Sequence, residues 1–106
     1  MRPVTVTTAG VSVSAPIPLN YLTSPFNIGF GVVVTGAATY TVQHTFDDVF
    51  SPTFVAASAT WFDHSSVAGK TVNFDGNYAY PIRAARVNQT AGAGSTSAVF
   101  IQAGLI

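Results

Sequence analysis

Apolar and polar residues alternate along much of this chain, and the alternation has a period of two, which is the signature of a strand with one buried face. The clearest run is Phe26 to Val34, where Phe26, Ile28, Phe30, Val32 and Val34 point one way and Asn27, Gly29, Gly31 and Val33 the other. Its two glycines leave bare backbone, a common mark of close approach by another chain or side chain. A turn at Thr35-Gly36-Ala37-Ala38 leads to Thr39–Phe46, with Tyr40, Val42, His44 and Phe46 on one face. The two runs predict a hairpin. Valines also alternate through residues 4–14, but their parity changes at Ala9-Gly10. A bulge or tight turn at Gly10 would realign both halves to one face.

The remaining elements follow the same logic. Residues 15–25 hold Pro16, Pro18 and Pro25 and read as a loop, since proline cannot donate to a central ladder. Phe54–Phe62 and Lys70–Phe74 read as strands, and Asp75-Gly76-Asn77 as a turn. Tyr80–Gln89 and Ser95–Ala103 predict a last hairpin across Thr90-Ala91-Gly92-Ala93-Gly94. About seven or eight short strands at regular spacing predict an all-β fold, an antiparallel β-sandwich of jelly-roll or immunoglobulin-like type. The expected organisation is a single domain over residues 1–106, with residues 1–14 as an N-terminal arm.

Composition sharpens this picture. Threonine, valine and isoleucine number 13, 14 and 5, and the chain has no glutamate and one lysine. That balance favours pleated, half-buried surface over helix. Charged residues are only 8% of the chain and sum to zero net charge, against about 25% charged in an ordinary domain. Nucleic-acid binding is not expected, because phosphates require clustered Lys and Arg. No apolar run approaches the roughly 18 residues of a membrane span, so no membrane partner is expected either. The absence of cysteine excludes disulfides, thiolate metal sites and a cysteine nucleophile. An exterior of Thr, Ser, Ala, Asn and Gly, poor in charge, suits contact with other protein.

Candidate chemistry is sparse. His44 and His64 with Asp47, Asp48 and Asp63 are the only metal-like set, and three or four of them would have to converge. His44 lies on an apolar strand face, which suits a satisfied core or interface histidine. Asp47-Asp48 and Asp63-His64 read as strand ends. No Gly-x-Ser-x-Gly elbow is present, and Gly92-Ala93-Gly94-Ser95 lacks the lysine and helix of a phosphate loop. No enzymatic activity, cofactor or metal is expected. Arg83 and Arg86, three apart in a strand, face opposite sides, as an ion pair or as interface anchors. Trp61 and Phe62 are expected to fill core in at least one case, and Tyr78 and Tyr80, flanking the expected turn, to reach the surface. The expected interface residues are Met1, Arg2, Pro3, Tyr78, Tyr80, Arg83, Arg86, Leu105 and Ile106.

Four stretches carry a family resemblance: Ser24-Pro25-Phe26-Asn27 through Val32-Val33-Val34-Thr35-Gly36, then Thr39–Asp48, Thr60-Trp61-Phe62, and Arg83-Ala84-Ala85-Arg86 to Ile101-Gln102-Ala103-Gly104. With them the chain resembles small all-β virion structural proteins of tailed bacteriophages. The resemblance implies a capsid decoration (cement) protein on the capsid exterior, made in the host cytoplasm. Its expected partners are the major capsid protein and copies of itself in a homo-oligomer. The alternatives are a tail or head–tail component, or a module binding host glycans through Tyr78, Tyr80 and nearby Asp75 or Asn77. No residue role carries over from the family.

Overall fold

The computed structural model describes residues 3–22 and 26–103. Among the described residues, nine strands make two antiparallel sheets packed face to face, a β-sandwich. The first sheet has the order β1 (Val4–Ala9), β9 (Ser95–Ala103), β4 (Asn27–Thr35), β7 (Phe74–Tyr78). The second has the order β2 (Ser12–Val13), β8 (Ala84–Ala91), β5 (Thr39–Thr45), β6 (Trp61–Asp63), with β3 (Ile17–Pro18) also paired to β8. The inward residues of the central strands form the core: Ile28, Phe30 and Val32 from β4, Tyr40 and Val42 from β5, Val87 from β8 and Phe100 from β9.

Neither expected hairpin forms. β4 pairs with β9 and β7, whereas β5 pairs with β8 and β6. β8 and β9 likewise belong to opposite sheets. Alternation fixes which side of a strand is buried, and a face-to-face partner satisfies it as well as an edge-to-edge one. The chain therefore arches from one sheet to the other at residues 36–38 and 92–94, and again at Gly10 between β1 and β2. Gly10, Gly36 and Gly92 all hold positive φ, at 66°, 78° and 94°, a region open to glycine without strain.

The three crossings are bonded together at one end of the sandwich. Gly10 N–H donates to Gly94 C=O at 3.0 Å, and Gly94 N–H to Ala37 C=O at 2.8 Å. Gln89, fully buried, ties the cluster to the core. Its Oε1 accepts from the hydroxyls of Thr8 (2.9 Å) and Thr96 (3.3 Å), and its Nε2 donates to the carbonyls of Gly92 (3.2 Å) and Gly94 (2.9 Å). All four hydrogen-bonding positions of the amide are thereby used.

Other expectations need correction. Residues 3–14 are not an arm: β1 and β2 are built into the two sheets. The parity change at Gly10 does not realign the valines. The chain changes sheet there, leaving Val11 and Val13 exposed and Ser14 buried. Of Phe54–Phe62, only the last two residues are extended, and residues 46–60 form a turn-rich loop. Thr60 N–H donates to the Asp47 carboxylate at 2.9 Å and closes that loop. Lys70 makes a single bridge to Tyr40, and Asp75-Gly76-Asn77 lies inside β7 rather than in a turn. Gly76 is needed there for space, since a Cβ would come within 2.9 Å of the Phe30 ring.

Candidate functional site: aromatic rings around His44

β5 points Tyr40, Val42 and His44 into the sandwich, and β7 ends at Tyr78, whose ring covers His44. Phe46, beyond His44 along the chain, and Phe62, directly opposite it on edge strand β6, are left 50% and 48% exposed. Tyr80, two residues past Tyr78, is 47% exposed. These three rings surround His44: Phe62 stacks on the imidazole at 5.8 Å, Phe46 meets it edge-on at 5.6 Å, and Tyr80 edge-on at 5.8 Å. Phe46 and Phe62 also touch, with centroids 5.8 Å apart. Edge-to-face and offset pairs at such distances are the favoured aromatic geometries.

The imidazole is held from both nitrogens. His44 Nδ1 lies 2.9 Å from the Tyr78 hydroxyl and Nε2 lies 3.4 Å from the Tyr80 hydroxyl. A neutral ring that accepts from Tyr78 at Nδ1 and donates to Tyr80 from Nε2–H satisfies both contacts. Burial is the main cause that pushes the His44 pKa down, with a smaller push from His64 and an opposing pull from Asp63. Burial likewise pushes the Tyr78 phenol far above its ordinary value, helped by Tyr80 and Asp63, so Tyr78 remains a hydroxyl donor. The cluster is a neutral, preorganised aromatic surface.

His64 does different work. Its Nε2–H donates to Asn77 C=O at 2.8 Å, and its Nδ1 accepts from Ser66 N–H at 3.1 Å. It also meets Phe30 edge-on at 5.2 Å. Nε2 fastens the free edge of β7, and Nδ1 holds the ring to its own loop. The neighbouring Asp63 turns away and accepts from Gln43 Nε2 at 2.9 Å. Among the described residues, no group of three or more His, Cys, Asp or Glu is placed to hold a metal ion.

The two arginines have different partners, and Arg83 precedes β8 rather than lying in it. Arg86 Nε donates to Gln43 Oε1 at 2.9 Å, and its guanidinium stacks 4.0 Å above the Trp61 ring. Burial lowers the Arg86 pKa without discharging it. Arg83 lies 3.8 Å from the Asp48 carboxylate and 5.2 Å above Tyr21. Trp61 is half-buried under Arg86 and Phe62 is exposed, so neither fills the core.

Of the expected interface residues, Tyr80 joins the aromatic cluster and Pro3 is exposed beside β1. Tyr78 requires correction: it is fully buried and reaches no surface. Asp75 and Asn77 alternate away from it onto the outer face of the first sheet, where Asn77 donates to Asn27 at 3.3 Å. Tyr78 therefore offers no surface beside Tyr80. Met1, Arg2, Leu105 and Ile106 lie outside the described residues. Phe46 and Phe62 were not among the expected interface residues. The available signal was Phe46 itself, an apolar residue in phase with Val42 and His44 but set against Asp47-Asp48, where a strand leaves the core.

Comparisons with protein-family models, with curated proteins and with solved structures find no match to the chain.

Proposed function

We propose that this chain is a non-enzymatic virion structural protein of a bacteriophage, a capsid decoration protein that lies on the capsid exterior and cements the major capsid lattice. The observation that carries the reading is the aromatic cluster: Phe46, Phe62 and Tyr80, each about half-exposed, are held rigidly around His44. Aromatic anchors are the usual centre of a protein–protein interface, and large exposed apolar patches mark such sites. The chain as a whole carries only eight charged residues in 106, and Asp47, Asp48 and Asp63, next to Phe46 and Phe62 in sequence, would form the polar rim of such a contact. The family resemblance of the sequence supplies the kind of partner.

Two measurements test this. Quantitative mass spectrometry of purified particles is expected to find the chain in fixed stoichiometry with the major capsid protein. A small fixed number per particle places it in the tail or head–tail junction instead, and absence from clean particles overturns the virion reading. Purified protein is expected to bind undecorated capsids, and a Phe46→Ser/Phe62→Ser variant that stays folded is expected not to. Equal binding by the variant removes the aromatic cluster from the interface.

A further inference from the structure

The free edge of β1 is unlike every other edge of the sandwich. Gly10 N–H bonds Gly94 C=O and continues a ladder in which Ala9 faces Ser95. Bonded and unbonded positions alternate along an antiparallel pair. Val4, Val6 and Thr8 therefore turn their N–H and C=O groups toward β9, and Thr5, Thr7 and Ala9 turn theirs to the open edge. The same alternation, carried across β9 and β4, puts Val34 N–H on the β7 side, where it donates to Asn73 Oδ1 at 2.8 Å.

Exposed edges invite further strands, and proteins guard them with charges, prolines, bulges or covering loops. β6 is three residues long and ends in Asp63. β2 and β3 have two residues each, with Pro16 and Pro18 beside or within them. The edge of β7 is fastened by His64 on Asn77 C=O. β1 has six residues, no charge or proline within it, only Pro3 just before it, and an unbroken register.

We infer that β1 pairs antiparallel with β1 of a second copy of this chain, across a twofold axis at Val6, joining the first sheets of two copies into one. In this register Thr5 of each copy faces Thr7 of the other, and the two exchange both backbone hydrogen bonds. Ala9 faces Pro3. Proline has no N–H to give, and the Ala9 C=O shares the Ser12 hydroxyl with Gly10 C=O, at 3.3 Å each. The one bond left at that position, Ala9 N–H to Pro3 C=O, is the one that can form. A shift that sets Thr5 against Thr5 places Thr7 C=O opposite the proline, and one that sets Thr7 against Thr7 directs Thr5 N–H to the Ala9 carbonyl, which the Ser12 hydroxyl already approaches at 3.3 Å. Val4 and Val6, only partly buried at the open margin of the core, are closed over by the second copy. The contact is isologous, as a twofold dimer requires, and uses strand addition. It rests on backbone geometry alone and holds whether or not the chain coats a capsid.

A concentration series by sedimentation, with amide exchange followed by NMR, tests the pairing on the full chain. The chain is expected to pass from monomer to dimer, with exchange at Thr5 and Thr7 slowing by at least about tenfold, the factor that separates adjacent decades of affinity. Val6 and Thr8 amides, already bonded to β9, are expected not to change. Thr7→Pro removes an edge donor without touching the β9 ladder and is expected to raise the dissociation constant at least about tenfold. Should it fail to fold, Thr5→Lys/Thr7→Lys keeps the backbone and supplies the missing guard. A chain monomeric to roughly 1 mM, near the weakest association of note, overturns the inference. So does a dimer with Thr5 and Thr7 amides still free, or one that these variants leave intact.

Discussion

Replacing Gln89 by leucine tests the bonding of the sheet-crossing corners. The two side chains are similar in volume, so the change is chiefly one of hydrogen bonding. Thr8 is 3% exposed and Thr96 fully buried, and both hydroxyls bond to Gln89 Oε1. Leucine leaves both without that acceptor. Gly94 C=O still receives Gly10 N–H, and Gly92 is exposed and open to water, so neither carbonyl adds a full penalty. Two stranded buried hydroxyls at about 1–3 kcal/mol each, less the gain of about 1 kcal/mol from a more apolar side chain, give a net loss of about 3 kcal/mol. That is a large share of the roughly 5–15 kcal/mol available to a domain. Urea unfolding with the midpoint and slope fitted separately measures it. The decisive control is Gln89→Leu with Thr8→Val and Thr96→Val. Removing both sides of a buried polar contact is nearly neutral, so the triple variant is expected to recover most of the loss. A Gln89→Leu cost below about 1 kcal/mol, or a triple variant whose losses merely add, refutes the bonding argument.

Other changes separate the corners from the open faces. Gly92→Ala drives a Cβ into Ala37 O at a φ of 94° and is expected to cost about 3 kcal/mol or more. Gly31→Ala meets nothing within 4 Å and is expected to change stability by less than about 1 kcal/mol. Phe62→Ser, at a ring already 48% exposed, is expected to cost only about 1 kcal/mol in the same assay. His44 has a folded pKa below its unfolded value, by burial first, so unfolding takes up a proton on acidification. Stability is then full above about pH 6.5 and falls as the pH drops through the folded pKa. His44→Gln is expected to flatten the curve between about pH 6.5 and 5, above the range in which carboxylates titrate.

The buried faces of the long strands were legible, and their partners were not. Ile28, Phe30, Val32, Tyr40 and Val42 are all core residues, as the period of two predicts. The same pattern says nothing about whether the next strand lies beside the last or across the core from it. The short connections at residues 36–38 and 92–94 read as hairpin turns because nothing local distinguishes a hairpin from an arch. Gln89 showed no signal at all, since one buried amide in an alternating strand looks like any outward polar residue. Asp75-Gly76-Asn77 misled for a different reason. The glycine there serves the crowding of Phe30, Val67 and His64 around β7, and turn chemistry is only one of the reasons a chain keeps glycine between polar residues. The aromatic cluster was half visible: Tyr80 was expected at the surface, but nothing in the alternation of their own strands marks Phe46 and Phe62 as exposed.

The two proposed contacts lie at opposite sides of the molecule, and this has a measurable consequence. β1 and β7 are the two edges of the first sheet, and β6, which carries Phe62, is the edge of the second sheet remote from β2 and β3. A dimer joined at β1 thus presents its two aromatic clusters at its far ends, both free. If both dock on a repeating lattice, the second attachment is intramolecular and raises the overall affinity by about 10²–10⁴ with no new contact. Thr7→Pro, which alters no residue of the aromatic cluster, is then expected to weaken binding to undecorated capsids by about that factor. On isolated capsid subunits, which offer single sites, it is expected to have no effect. Phe46→Ser/Phe62→Ser is expected to abolish both. Equal weakening of Thr7→Pro on capsids and on subunits would mean that β1 itself touches the capsid protein, and would replace avidity with direct contact as the role of that edge.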